Sequence, residues 1–110
     1  MQKYEIILVD LNPGKWSEQA GIRPCLILQN NYANKVARTF VVAIISSVIK
    51  DFPHTLIVNA SQNNGLKMKS RIDLLQVRTI DETRIIKSLW ILETKLHQIC
   101  DEKIKIAFWL

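Results

Sequence analysis

The stretch GIRPCLIL, residues 21–28, passes from a glycine through a charged residue directly into an apolar run. The run is short, and the asparagines at 30 and 31 that follow it are typical of a turn, so we expect a strand here. Arg23 would lie where a polar loop gives way to that strand. A guanidinium group is seldom buried at such a place without a partner, which makes Arg23 a candidate for a functional or ion-pairing role.

Similar runs recur on both sides of this stretch. Each is short and rich in Val, Ile or Leu, and turn signals such as NPG at 12–14 and NNYAN at 30–34 separate them. The predicted strands are residues 4–11, 23–30, 37–50, 52–60, 71–80 and 84–92. Several short strands joined by turns are typical of a small barrel.

The period of the apolar residues changes after Leu92. From there they recur at intervals of three and four, which is the spacing of an amphipathic helix. The residues on this stripe are Leu96, Ile99, Cys100, Ile104, Ala107 and Phe108. We therefore predict a mainly β fold with a C-terminal α-helix, in which the helix covers one side of a closed or half-closed barrel.

Length and charge narrow the class of protein. The chain has 110 residues, which predicts one domain over 1–110, and its formal net charge is +5. The last twenty residues are close to neutral, so the positive excess lies in the first ninety and favours a polyanionic partner such as nucleic acid. Neither cysteine has neighbours at metal-ligand spacing, so we expect free thiols and no metal. The sequence has no GxGxxG or P-loop motif, so we expect no cofactor. We see neither a signal peptide nor a membrane-spanning run, and expect a cytoplasmic protein.

Three segments, GIRP, ISS and LLQVRTID, each put a polar group at the end of an apolar strand, where sites are commonly built. The residues alone leave two interpretations open. Either the two arginines form ion pairs and the two serines cap a turn, or these groups form a functional site. The acidic partners available for Arg23 and Arg78 are Asp73, Asp81 and Glu18.

The same segments resemble the motifs of the MazF/PemK family, the endoribonuclease toxins of bacterial toxin–antitoxin pairs. ILVDLNPGKWSEQAGIRPCLIL, residues 7–28, resembles the first strand, loop and second strand of the family. VVAIISS, residues 41–47, resembles its motif V-x-A-P-I-T-S, and LLQVRTIDETRI, residues 74–85, resembles its motif D/E-Q-I-R-T-x-D-x-x-R-L. The three motifs occur in the right order, and the resemblance as a whole covers nearly the whole chain.

This resemblance implies a small SH3-like, PemK-like barrel that works as a homodimer. It implies metal-independent, sequence-specific cleavage of single-stranded RNA, leaving a 2′,3′-cyclic phosphate and a 5′-hydroxyl. The implied protein partner is a cognate antitoxin, and DNA would be contacted only through that antitoxin. No membrane is involved. A second function stays open on the same fold: a toxin that binds nucleic acid or inhibits a protein target without cleaving, as a gyrase-poisoning relative does.

The resemblance also assigns three catalytic candidates. Arg23 matches the arginine that would stabilise negative charge on the phosphate, a task suited to a forked and permanently charged guanidinium. Ser46 occupies the position of a threonine, so it keeps the hydroxyl and loses the methyl group that restricts χ1. The acid that the family often carries before its glutamine is Leu75 here. Asp73, two residues earlier, is therefore the candidate general base, and an ion pair with Arg71 or Arg78 is the alternative role.

The remaining candidates are predicted to bind RNA. Trp16 could stack on a base, and Lys15 beside it would attract the phosphate backbone. Lys50, Lys67 and Lys69 would widen the basic groove. The full set of predicted RNA contacts is Lys15, Trp16, Glu18, Gln19, Ser47, Gln76 and Arg78.

Overall fold

The computed structural model describes residues 1–11 and 21–108, apart from the side chain of Leu89. The strands are β1 (Glu5–Asp10), β2 (Ile22–Ile27), β3 (Thr39–Ser46), β4 (Thr55–Val58), β5 (Ser70–Asp81) and β6 (Ile85–Ile91). The helices are α1 (Asn31–Val36) and α2 (His97–Phe108), and single 3₁₀ turns cover Glu82–Arg84 and Thr94–Leu96. All six predicted strands and the C-terminal helix are confirmed, with ends shifted by a few residues.

The strands form one antiparallel sheet in the order β4-β5-β3-β2-β1-β6, curled into a half-barrel. The expected mainly β fold with a C-terminal helix is therefore confirmed. Among the described residues, no helix is long and apolar enough to cross a membrane.

The alternation of side chains divides the core between the two faces of the sheet. On one face, buried residues such as Leu26, Ile45 and Ile72 pack with Cys100 of α2 and form the helix-covered face. On the opposite face, a second cluster includes Cys25 and Ile44. Because β2 alternates, Arg23 lies on the same face as Cys25, at the end of this second cluster.

Helix α2 is attached to the N-terminal segment by polar contacts. The hydroxyl of Tyr4 donates to the carboxylate of Asp101 at 2.7 Å, and the ring of Tyr4 stacks on His97 with 3.8 Å between centroids. A ring nitrogen of His97 lies 2.8 Å from the carbonyl oxygen of Leu92. The half-buried ring of His97 therefore holds the start of the helix against the N-terminal segment.

The turn predicted at 30–34 is wrong, because the structure has a helix there. A short helix, α1, follows Asn30, whose side-chain oxygen accepts a hydrogen bond from the backbone N–H of Ala33 at 2.9 Å. Asparagine is favoured both in turns and as a helix N-cap, so composition alone could not separate the two.

We predict that Gly65→Ala destabilises the fold more than Gly21→Ala. Both glycines have positive φ, +70° and +88°, but a Cβ at Gly65 would also overlap the indole ring of Trp90, whereas space is open at Gly21. Strain and overlap together should lower the free energy of unfolding by about 2 kcal/mol or more at Gly65. Urea unfolding of both variants measures this, and equal losses would show that the Trp90 contact has no effect.

Candidate active site

A small basic cavity lies where β2, β3 and β5 run side by side. It has a volume of about 230 Å³ and is lined by Arg23, Ile44, Ile45, Ser46, Val48, Lys50 and Arg71. None of the described residues that line it is acidic. Three cationic side chains around one hydroxyl make a cavity suited to a phosphate group.

The strand register explains why these side chains meet. Cys25 of β2 is opposite Ile44 of β3, and continuing this antiparallel register by two residues brings Arg23 opposite Ser46. On the other side of β3, Ser46 is opposite Arg71 of β5. Opposed residues on neighbouring strands point to the same face. Arg23, Ser46 and Arg71 therefore form one row across three strands, which we call the arginine row.

Ser46 ends β3 and is half-buried. Its hydroxyl oxygen accepts a hydrogen bond from the backbone N–H of Val48 at 3.1 Å, so the serine also caps the turn that follows, as one interpretation of the sequence expected. The hydroxyl hydrogen remains able to donate to a substrate. Ser47, the next residue, is exposed and lines a separate cavity of about 400 Å³ with Arg23, Lys67 and Trp90.

Asp73 is buried, with 8% of its surface exposed. One carboxylate oxygen accepts from the backbone N–H of Leu75 at 3.0 Å and lies 3.7 Å from Nε2 of His54. Asp73 and Arg71 belong to the stretch of β5 that pairs regularly with β4, so they share the face of the arginine row. The basic side chain found beside Asp73 is thus that of His54.

A bulge interrupts β5 directly after Asp73. Ala43 is opposite Val77 and Ile45 is opposite Ile72, so four residues of β5, 73–76, face the single residue Ile44 of β3. Because of this bulge, the side chains of Asp73 and Leu75 do not follow the strict alternation of a regular strand. Leu75 is 52% exposed. Gln76 is also exposed, in the same bulge.

Arg78 lies apart from the arginine row. It is opposite Val42, four residues along β3 from Ser46, which corresponds to about 13 Å of strand. Burial raises the pKa of the Cys25 thiol to about 12, and the charge of Arg78 partly opposes that rise. A cavity of about 250 Å³ there is lined by Arg78 with Asp10, Asp81 and Arg84 among others.

The predicted contacts Lys15, Trp16, Glu18 and Gln19 lie outside the described residues. The other candidates separate into two groups: Arg23, Ser46 and Lys50 meet at one cavity, while Gln76 and Arg78 lie further along β5. Lys67 lines the second cavity beside Ser47. Within residues 1–11 and 21–108, no three His, Cys, Asp or Glu side chains are grouped so that they could hold a metal ion.

Arg71 also lines this cavity, although the sequence predicts it only as an ion-pair partner of Asp73. Its spacing of two from Asp73 indicated a shared face. The sequence could not indicate which strand lies opposite it, because β3 and β5 are separated by more than twenty residues and their pairing includes the bulge.

Comparison with known proteins agrees with this fold. Among solved structures, an endoribonuclease in complex with its cognate antitoxin from a mycobacterial species has a TM-score of 0.82 at 14% identity, covering 100% of this chain and 96% of that one. MazF from Deinococcus radiodurans has a TM-score of 0.80 at 16% identity, covering 100% and 97%. These likenesses define the fold as that of the MazF toxins.

The sequence places the chain in the same family. Residues 2–108 match the family described as the PemK-like, MazF-like toxin of type II toxin–antitoxin systems. Endoribonuclease EndoA of Bacillus subtilis is 31% identical over 112 residues, covering 100% of this chain and 96% of the relative. Endoribonuclease MazF of Staphylococcus saprophyticus is 33% identical over 111 residues, covering 100% and 92%. This chain belongs to the PemK/MazF toxin family.

Proposed function

We propose that this chain is a toxin that cleaves single-stranded RNA, using the ribose 2′-hydroxyl of the substrate as the nucleophile. The observation that carries the proposal is the meeting of Arg23 and Ser46 on neighbouring strands at a basic cavity of about 230 Å³. The family of the chain and the relatives named as endoribonucleases support it.

The reaction needs three contributions from the protein. A base removes the proton of the 2′-hydroxyl, a cation stabilises the extra negative charge on the phosphate, and a donor returns a proton to the leaving 5′-oxygen. The bond from O2′ to phosphorus forms and the bond from phosphorus to O5′ breaks. The products are a 2′,3′-cyclic phosphate and a 5′-hydroxyl, and the sum of these steps needs no metal ion.

We assign Arg23 to charge stabilisation, because a guanidinium stays protonated and binds two phosphate oxygens at once. Ser46 donates a hydrogen bond to the phosphate or holds the 2′-hydroxyl. Asp73 is the general base, with His54 and the N–H of Leu75 holding its carboxylate in place. Ser47, Gln76 and Arg78 contact flanking nucleotides, together with Lys15, Trp16, Glu18 and Gln19.

We predict that Ser46→Ala lowers kcat roughly tenfold to hundredfold, the cost of one hydrogen bond to a charged group. Ser46→Thr keeps the hydroxyl and the acceptor for the Val48 N–H, so its kcat should stay within about threefold of the original. Steady-state cleavage of a fluorogenic RNA measures both. Equal loss in the two variants would mean that the position matters for packing and the hydroxyl does not.

The function is tested with single-stranded RNA and with DNA of the same sequence, both in excess chelator. We expect cleavage of the RNA alone, at specific sites, with cyclic phosphate and 5′-hydroxyl ends. Binding of RNA without cleavage would support the non-cleaving toxin instead. Cleavage that stops in chelator and returns with a divalent ion would contradict the metal-independent reaction.

We infer further that an antitoxin restrains this activity and that the chain acts as a homodimer. Solved relatives include an endoribonuclease with its cognate antitoxin and MazE–MazF complexes from Deinococcus radiodurans. An antitoxin segment that carries acidic side chains would be attracted to the basic cavity that holds Arg23. Any contact with DNA would come through the antitoxin.

A further inference from the structure

The arginine row contains a second guanidinium whose hydrogen-bonding capacity is not filled by residues 1–11 and 21–108. Nε of Arg71 is buried, and no hydrogen-bond acceptor for it is found among the described residues. A buried donor left without an acceptor costs about 1–3 kcal/mol, so such donors are uncommon unless a ligand supplies the acceptor.

The described neighbours of Arg71 explain why none of them supplies that acceptor. On β4 the opposed residue is Ile57, which is apolar. Along β5, the carboxylate of Asp73 is already hydrogen-bonded to Leu75 N–H and lies 3.7 Å from His54. The remaining polar neighbour across the strands is Ser46. Arg71 lines the cavity, where the other charged residues, Arg23 and Lys50, add only positive charge.

Arg23 and Arg71 lie on strands that are two strand spacings apart, and Ser46 lies on the strand between them. Their backbones are therefore about 10 Å apart. Arginine side chains are long enough for both guanidinium groups to reach a group seated above Ser46. A single oxyanion there would be contacted from both sides, with the hydroxyl of Ser46 beneath it.

We propose that Arg71 holds the second non-bridging oxygen of the scissile phosphate, opposite Arg23. This inference rests on the proposed function and deepens it. The phosphodiester carries one negative charge in the ground state and gains a second as O2′ attacks. Two guanidinium groups match that dianion, so Arg71 would bind the transition state more tightly than the substrate. Its removal should then lower kcat more than it raises KM.

The test compares Arg71→Met with Arg71→Lys, and uses Lys35→Met as the charge-matched control, since Lys35 is exposed on α1, away from the cavity. We expect Arg71→Met to lower kcat about thirtyfold while KM changes less than about threefold. Arg71→Lys keeps the charge without the fork and should lower kcat about tenfold, and it carries the test if thermal unfolding shows that Arg71→Met does not fold. Lys35→Met should match the original protein.

A phosphorothioate at the cleaved position shows whether Arg71 contacts the scissile phosphate or a neighbouring phosphate. Sulfur in place of the oxygen that Arg71 contacts should slow the original protein, and one of the two diastereomers should have a smaller effect in Arg71→Lys and none in Arg71→Met. A kcat within threefold of the original in both variants, or unchanged sensitivity to both diastereomers, would overturn the inference while leaving the function standing. No cleavage of RNA by the unsubstituted protein would reject the proposed function itself.

Discussion

Replacing Arg23 with alanine should lower kcat for RNA cleavage by about a thousandfold, the largest effect we expect from any single substitution. Arg23 lies at the end of the apolar face and lines the cavity with Ser46. It is the cation best placed to meet the charge that develops on phosphorus. Single-turnover cleavage at saturating protein measures the chemical step without interference from product release.

The matched control is Arg38→Ala, which removes the same charge from an exposed residue just before β3, at the opposite end of that strand from Ser46. Its kcat should stay within about twofold, since surface charges far from a site act mainly on encounter. Arg23→Lys should recover only part of the loss, because an ammonium group cannot bind two oxygens in one plane. A similar kcat for Arg23→Ala and Arg38→Ala would contradict the role of Arg23.

Replacing Asp73 with asparagine should lower kcat about a hundredfold and leave RNA affinity unchanged within about threefold, as expected for a general base. Asparagine has nearly the same shape and can still accept from the N–H of Leu75, so the packing around this buried residue is kept. Affinity is measured by anisotropy with an RNA that carries a 2′-deoxy nucleotide at the cleaved position, which cannot react.

Asp51→Asn is the control, because Asp51 is an exposed aspartate just before β4. Urea unfolding of both variants shows whether the loss of the negative charge beside His54 affects stability. Equal losses of kcat and affinity in Asp73→Asn would assign the residue a structural role. The base would then have to come from another group near the arginine row.

Much of the fold could be predicted from the sequence because the local signals agree with one another. Each strand is a short apolar run between turn residues, and the three-and-four spacing after Leu92 marks the helix. The prediction failed where one residue type serves two structures, since Asn30 caps a helix in place of the predicted turn.

The site could be predicted only as far as its motifs extend. Arg23 and Ser46 were found because each lies in a motif, and they do line one cavity. Arg71 was not identified, since its position depends on the pairing of β3 with β5 across a bulge of β5. A bulge shifts the register and re-aims side chains, and a single sequence gives no sign of where it falls.

We propose that the protein activates the 2′-hydroxyl of the substrate RNA at the phosphate held by Arg23 and Ser46. The most direct test uses two RNAs that differ only in a 2′-deoxy substitution at the nucleotide before the cleaved phosphate. We predict that the unmodified RNA is cut to a 2′,3′-cyclic phosphate and a 5′-hydroxyl, and that the deoxy RNA binds equally well and is not cut. Cleavage of the deoxy RNA at a comparable rate, or a 3′-hydroxyl end on the product, would contradict attack by the 2′-hydroxyl.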